Sequence, residues 1–189
     1  MMDKKKIERA VRMILEAIGE NPERAGILKT PSRFARMCEE IFSGIREKPE
    51  NVLSTLPAEN YREVILIRDI PFYSICEHHL LPFFGRVHIA YIPSRKIAGL
   101  SKFARLVEVL SRRLQVQERF TNEISFIIQK NLKPRGILVI VEAEHLCMSM
   151  RGVKKEKSRI ITISTKGIFS RQGKSAQVLN LIKKENAYP

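Results

Sequence analysis

The sequence predicts an α+β fold, and three observations carry that prediction. Apolar residues recur at helical spacing in two runs before residue 43, strand-like segments come as two pairs (62–70 with 85–93, and 136–144 with 159–165), and a long helical stretch lies between the pairs. In order, these make a ββααββ core, with two helices against an antiparallel sheet, behind an N-terminal helical extension.

In the extension, Ile7, Ala10, Val11, Ile14, Leu15 and Ile18 form one stripe that ends at Gly19 and Asn21-Pro22. Thr30-Pro31 opens a second helix whose stripe is Phe34, Met37, Cys38, Ile41 and Phe42, ending at Ser43-Gly44. Cys38 lies on that stripe and reads as a core residue. Residues 47–60 are polar and hold Pro49 and Pro57, the composition of a linker. The expected division is therefore 1–60, a helical region with its linker, and 61–189, the domain that carries the chemistry.

Residues 85–93 set Val87, Ile89 and Tyr91 against Arg86, His88 and Ala90, the alternation of a strand with two different faces. Gly99 and Ser101 open the central stretch, whose stripe runs through Phe103, Leu106, Val107, Leu110 and Leu114 and on through Phe120, Ile124, Ile127, Ile128 and Leu132. That exceeds the ~8 to 20 residues of a globular helix, so a break near Gln115-Val116-Gln117 is expected. Ile- and Val-rich strands follow at 136–144 and 159–165, and a short helix at 176–184 closes the chain.

A chain of 189 residues that is 44% hydrophobic can bury a real core, which excludes a disordered protein. Lys and Arg outnumber Asp and Glu by 34 to 20, a net charge of +14 that calls for an anionic partner: nucleic acid, a phosphorylated metabolite or an acidic membrane. No apolar run approaches the roughly 18 residues of a membrane span, so a soluble, cytoplasmic protein without a membrane partner is expected. Only 7% of residues are aromatic, Trp is absent and no nucleic-acid motif is present, which weighs against nucleic acid as an obligatory partner. Three cysteines are an odd count in a chain that does not need disulfides, and point to metal binding or burial.

Cys76-Glu77-His78-His79 contains a Cys-x-x-His interval in a loop, and His145-Leu146-Cys147 follows the third strand. Two thiolates and an imidazole are a donor set suited to zinc, and three ligands leave a fourth position for water. Cys76, His79 and Cys147 are the candidate ligands. His78 would then point elsewhere and His145 would sit beside the metal, leaving both free to transfer protons. A closed four-ligand site that also takes His78 or His145 stays open at this point, as does burial of the cysteines in the core. Ser101 is the expected N-cap of the first central helix, with Lys102 and Arg105 three residues apart on its first turn, a candidate anion site to which Arg151 could add a guanidinium. Glu118, next to Gln117, is a candidate acceptor for the paired N–H groups of a guanine edge, although a surface helix residue paired with an arginine fits it as well.

Four blocks of sequence resemble the signatures of the GTP cyclohydrolase I family: Ser74-Ile75-Cys76-Glu77-His78-His79-Leu80-Leu81-Pro82-Phe83, Gly99-Leu100-Ser101-Lys102, Arg112-Arg113-Leu114-Gln115-Val116-Gln117-Glu118-Arg119 and His145-Leu146-Cys147-Met148-Ser149-Met150-Arg151-Gly152. The resemblance implies a tunnelling fold assembled into a homodecamer of two pentameric rings. It also implies conversion of GTP and water into 7,8-dihydroneopterin triphosphate and formate, the entry step of folate or biopterin synthesis. By the same resemblance, Cys76, His79 and Cys147 hold Zn2+, His78 and His145 are acid and base, and Glu118 with Gln117 binds guanine. Ser101, Lys102, Arg105 and Arg151 contact the triphosphate, and Arg33 does so from a neighbouring subunit. One departure is visible: 159–165 is more aliphatic than the Thr- and Ser-rich stretch common in the family. Relatives of that fold that act on other pterins, some of them reductases, fit the paired histidines, zinc ligands and Glu118 less well.

Overall fold

A computed structural model describes residues 2–171 and 174–183. The chain forms two compact units, one ending at Ser43 and the other beginning at Gly44.

The first unit holds helices α1 (Lys4–Ala17) and α2 (Thr30–Ile41). Asp3 starts α1 by accepting a hydrogen bond from the Lys6 backbone N–H at 2.9 Å, so the helix begins three residues before its apolar stripe. Pro31 lies in the first turn of α2, where a missing N–H costs nothing. Val11, Ala35 and Cys38 are buried, and Lys4 bridges to Glu39 at 3.1 Å.

The second unit contains β1 (Thr55–Pro57), β2 (Ile65–Cys76), β3 (Pro82–Ile92), β4 (Lys96–Ala98), α3 (Leu100–Ser111), β5 (Leu114–Gln115), α4 (Gln117–Leu132), β6 (Gly136–His145), α5 (Leu146–Ser149), β7 (Arg159–Gly167) and α6 (Lys174–Lys183). It is a mixed α+β unit whose main sheet runs β5-β2-β3-β6-β7. The long strands pair antiparallel, and the short β5 lies parallel to β2. The expected break in the long helical stretch is present as β5, between α3 and α4. Residues 47–60, polar enough to read as a linker, instead carry a 3-10 turn and β1, which pairs with β4, and they bury Leu53 and Ala58. A few apolar anchors outweigh the average polarity of that segment.

Strand alternation divides the core. Phe83, Val87, Ile89 and Tyr91 of β3 and Val139, Val141 and Ala143 of β6 pack with Phe103, Leu106 and Leu110 of α3 and Phe120, Ile124 and Ile128 of α4. The intervening Ala90, Leu138 and Ile140 join Phe169 and Val178 on the opposite face. Among the described residues, no helix is long and apolar enough to cross a membrane.

Gly85 is needed where β3 meets β6. A Cβ there would fall 1.9 Å from the Glu142 carbonyl oxygen and 2.7 Å from the Ala143 Cα, both backbone atoms that cannot swing aside. Gly85→Ala is expected to cost at least ~1–3 kcal/mol in urea unfolding, the range for overpacking, whereas Gly99→Ala, which meets only the Lys102 side chain at 3.7 Å, costs less. Equal midpoints for the two variants would contradict this packing.

His88, buried at mid-strand, accepts a hydrogen bond at Nδ1 from the Asp69 backbone N–H at 3.1 Å. Asp69 sits in a bulge of β2 with a φ of +61°. Burial pushes the His88 pKa below its ordinary 6.5, against the opposing charges of Asp69 and Glu142. The unfolded chain therefore takes up a proton near pH 6.5 that the folded protein refuses, and this contribution to stability is lost as pH falls below that value. A His88→Gln variant should show a shallower drop in melting temperature between pH 7 and 5 than the parent; parallel drops would contradict the assignment.

Candidate metal centre and substrate site

Cys76 is the last residue of β2, and the chain reverses at once: the Leu80 N–H donates to the Cys76 carbonyl and the Cys76 N–H to the Leu81 carbonyl, each at 2.9 Å. Leu80 takes up the reversal with a φ of +53°. In the next ladder Phe83 of β3 lies opposite His145, the last residue of β6, and α5 follows with Cys147. Strand register thus brings together two short segments far apart in sequence. One donor atom from each of Cys76, His79 and Cys147 lies within 4.8 Å of the others.

The donor set fits a thiophilic cation. Cys76 Sγ and His79 Nδ1 are 4.0 Å apart, close to the ~3.6 Å that tetrahedral zinc with ordinary Zn–S and Zn–N bonds would impose. All three cysteines are free. Burial, and then the neighbouring Cys76, push the Cys147 thiol pKa up, so a bound cation is what would let that sulfur ionise in this setting. His78 Nδ1 is also 3.9 Å from Cys76 Sγ, but its side chain is 62% exposed and stands outside the mutual cluster.

His145 is held on two sides. The Phe83 ring stacks on it at 4.6 Å between centroids and 8° between planes, and Gln117 Oε1 lies 2.8 Å from its Nε2. The Gln117 amide nitrogen donates to the carbonyls of Val141 and Ile160, both at 3.0 Å, and lies 3.1 Å from Thr162 Oγ1. These partners fix which way the amide faces, so Oε1 accepts and His145 carries its proton on Nε2. Burial lowers the His145 pKa, opposed by the charge of Glu118, an exposed residue in the first turn of α4.

Ser101 is not the cap of α3. Gly99 holds that position in an extended conformation, its carbonyl accepting from the Lys102 N–H at 2.9 Å, and no side chain caps the helix. Ser101 and Arg105 are exposed on the first turns, with Lys102 half-buried between them. Arg151 is exposed in the turn after α5, close enough for its charge to act on Cys147. Arg33 is exposed on α2, in the other compact unit. Phe83 packs on His145 without any local sequence signal of that role; only strand register reveals it.

A cleft of about 570 Å³ opens on the opposite face of the sheet, where it is lined by Arg86, His88 and Glu142 among others. Its guanidiniums are already paired, Arg68 and Arg86 with Asp69 and Arg159 with Glu142. The Cys76, His79 and Cys147 cluster is not part of its lining.

The sequence model of GTP cyclohydrolase I matches residues 7–183. Among curated proteins, GTP cyclohydrolase 1 of Pelotomaculum thermopropionicum is 54% identical over 185 residues, covering 97% of this chain and 98% of its own length. Those of Clostridium kluyveri and Clostridioides difficile are 56% and 54% identical, over 89% and 96% of this chain and 91% and 97% of theirs.

Replacing Gln117 by Leu would leave the Val141 and Ile160 carbonyls and His145 Nε2 without their partner. A loss of about 1–3 kcal/mol is expected in urea unfolding. Imidazole 15N spectra should show the Nε2–H tautomer of His145 in the parent and lose that preference in the variant; an unchanged tautomer would contradict the assignment.

Proposed function

The chain belongs to the GTP cyclohydrolase I family, and on that premise we propose how its own residues convert GTP and water into 7,8-dihydroneopterin triphosphate and formate. The observation that carries the assignment of roles is the convergence of Cys76, His79 and Cys147 beside a histidine whose tautomer is set by the fold. Those three residues hold zinc. When bound, zinc supplies Lewis acidity and a water that ionises near neutral pH.

The remaining work belongs to side chains. Glu118 accepts the N1 and N2 protons of guanine, which presents C8 of the purine to the centre. Gln117 supports recognition from behind, because both ends of its amide are engaged within the chain. His145, kept neutral at pH 7 by burial, accepts a proton from the attacking water, and the exposed His78 delivers one to N7. Protonation makes C8 electrophilic; one water adds there and the C8–N9 bond breaks to leave a formyl group on N7. A second water cleaves that formyl group as formate, and after the ribose rearranges the freed N7 amine condenses with its carbonyl, returning one water as the second ring closes.

The triphosphate lies along the uncapped start of α3, where Ser101, Lys102 and Arg105 meet free backbone N–H groups, with Arg151 on the other side and Arg33 supplied by a neighbouring subunit. The surplus of positive charge steers the substrate inward.

The unit is a tunnelling-fold ββααββ domain that assembles into a homodecamer. Edge strand β7 supports assembly: Ile161 and Ile163 are 59% and 52% exposed there, in the segment that departs from the family's usual Thr- and Ser-rich composition.

Purified protein incubated with GTP should release formate and a product that oxidises to a fluorescent pterin. Cys76→Ser and Cys147→Ser should each abolish that turnover and the binding of about one zinc per chain. Full formate release by a zinc-free Cys147→Ser protein would contradict these roles.

A further inference from the structure

Glu77 lies between a metal-ligating cysteine and a proton-transferring histidine, yet its carboxylate is not in the ligand cluster among the described residues. It is turned instead onto Arg119, in the first turns of α4. The Arg119 guanidinium also donates from Nε to Gln115 Oε1 and from Nη2 to the Leu114 carbonyl, both at 3.0 Å. Gln115 is wholly buried, and its amide nitrogen donates to the Leu110 carbonyl at 3.0 Å and to Glu123 at 2.9 Å, which leaves Oε1 facing Arg119. The backbone is tied to the same strand: Cys76 pairs with Gln115, and the Glu77 N–H donates to the Gln115 carbonyl at 3.1 Å.

We propose that Glu77 and Arg119, seated on Gln115, form a clamp that sets the pitch of the Cys76–His79 loop and so positions two of the three zinc ligands. The inference rests on Cys76, His79 and Cys147 being those ligands. An isolated, partly exposed ion pair contributes little, roughly 0–1 kcal/mol. This one differs because the arginine is already oriented by two further acceptors, so the carboxylate meets a fixed partner and not a flexible one. The clamp also draws the Glu77 carboxylate away from the metal, which keeps the donor set at two sulfurs and one nitrogen. Glu77 and Arg119 are thus positioning residues that act through the loop.

The test is zinc retention by the holoenzyme, titrated against a chromogenic chelator, with circular dichroism to follow the fold. Glu77→Gln and Arg119→Ala should each weaken zinc binding about 10–100-fold, the range for residues that orient metal ligands. The double variant should be no worse than the weaker single one, since both remove the same clamp. The KM for GTP should move less than zinc affinity does. Arg12→Ala, which breaks the pairs with Glu16 and Glu23 within the first compact unit, removes the same charge and should leave zinc binding unchanged.

Parent-like zinc affinity in Arg119→Ala, or losses that multiply in the double variant, would overturn the clamp. If Arg119→Ala does not fold, Glu77→Gln decides alone: parent-like zinc affinity overturns the clamp, and a 10-fold loss in a folded protein supports it. A parent that binds no zinc would instead overturn the ligand assignment, and the clamp with it.

Discussion

The register between β3 and β6 is the constraint on which the site depends. Phe83 lies opposite His145, so the loop after β2 and the turn after β6 arrive at one end of the sheet with both halves of the donor set. Strand side chains alternate, so a slip of one residue would turn Phe83 away from His145 and carry Ile89, Val139 and Val141 out of the core. The core and the site therefore enforce each other. Burial of those residues holds the register, and Gly85, closed against the Glu142 carbonyl, lets the two strands come together two residues from the Phe83–His145 pair.

Two buried glutamines flank the short break between α3 and α4, and each serves one half of the site. Gln117 reaches from the start of α4 to the end of β6 and sets His145, while Gln115 reaches through Arg119 to the loop after β2. Both have their amide nitrogens committed to fixed acceptors, so neither can flip without leaving a buried polar group unpaired. The break in the helical stretch is thus more than a loop. It places β5 against β2 and gives its two glutamines separate sets of partners.

The alternation of β3 and the stripes of the long helices were legible in the sequence because burial on one face writes a period into it. So were the cysteine and histidine clusters, since metal donors are few chemical types at short intervals. Ser101 was misread as a cap because its chemistry suits one, while the local backbone hands that position to Gly99. The segment 47–60 was misread because average polarity hides single anchors such as Leu53 and Ala58. Gln115, Arg119 and Phe83 left no trace of their roles, since each acts across strands or between a helix and a loop. Their neighbours exist only once the sheet has formed.

The proposed three-ligand zinc centre stands on this register, at the ends of two strands. X-ray absorption at the zinc edge of the purified holoenzyme tests it most directly. Two sulfurs at ~2.3 Å, one imidazole nitrogen at ~2.0–2.1 Å and one further light atom are expected. A second histidine in the shell, a single sulfur, or a shell unchanged by Cys147→Ser would contradict it.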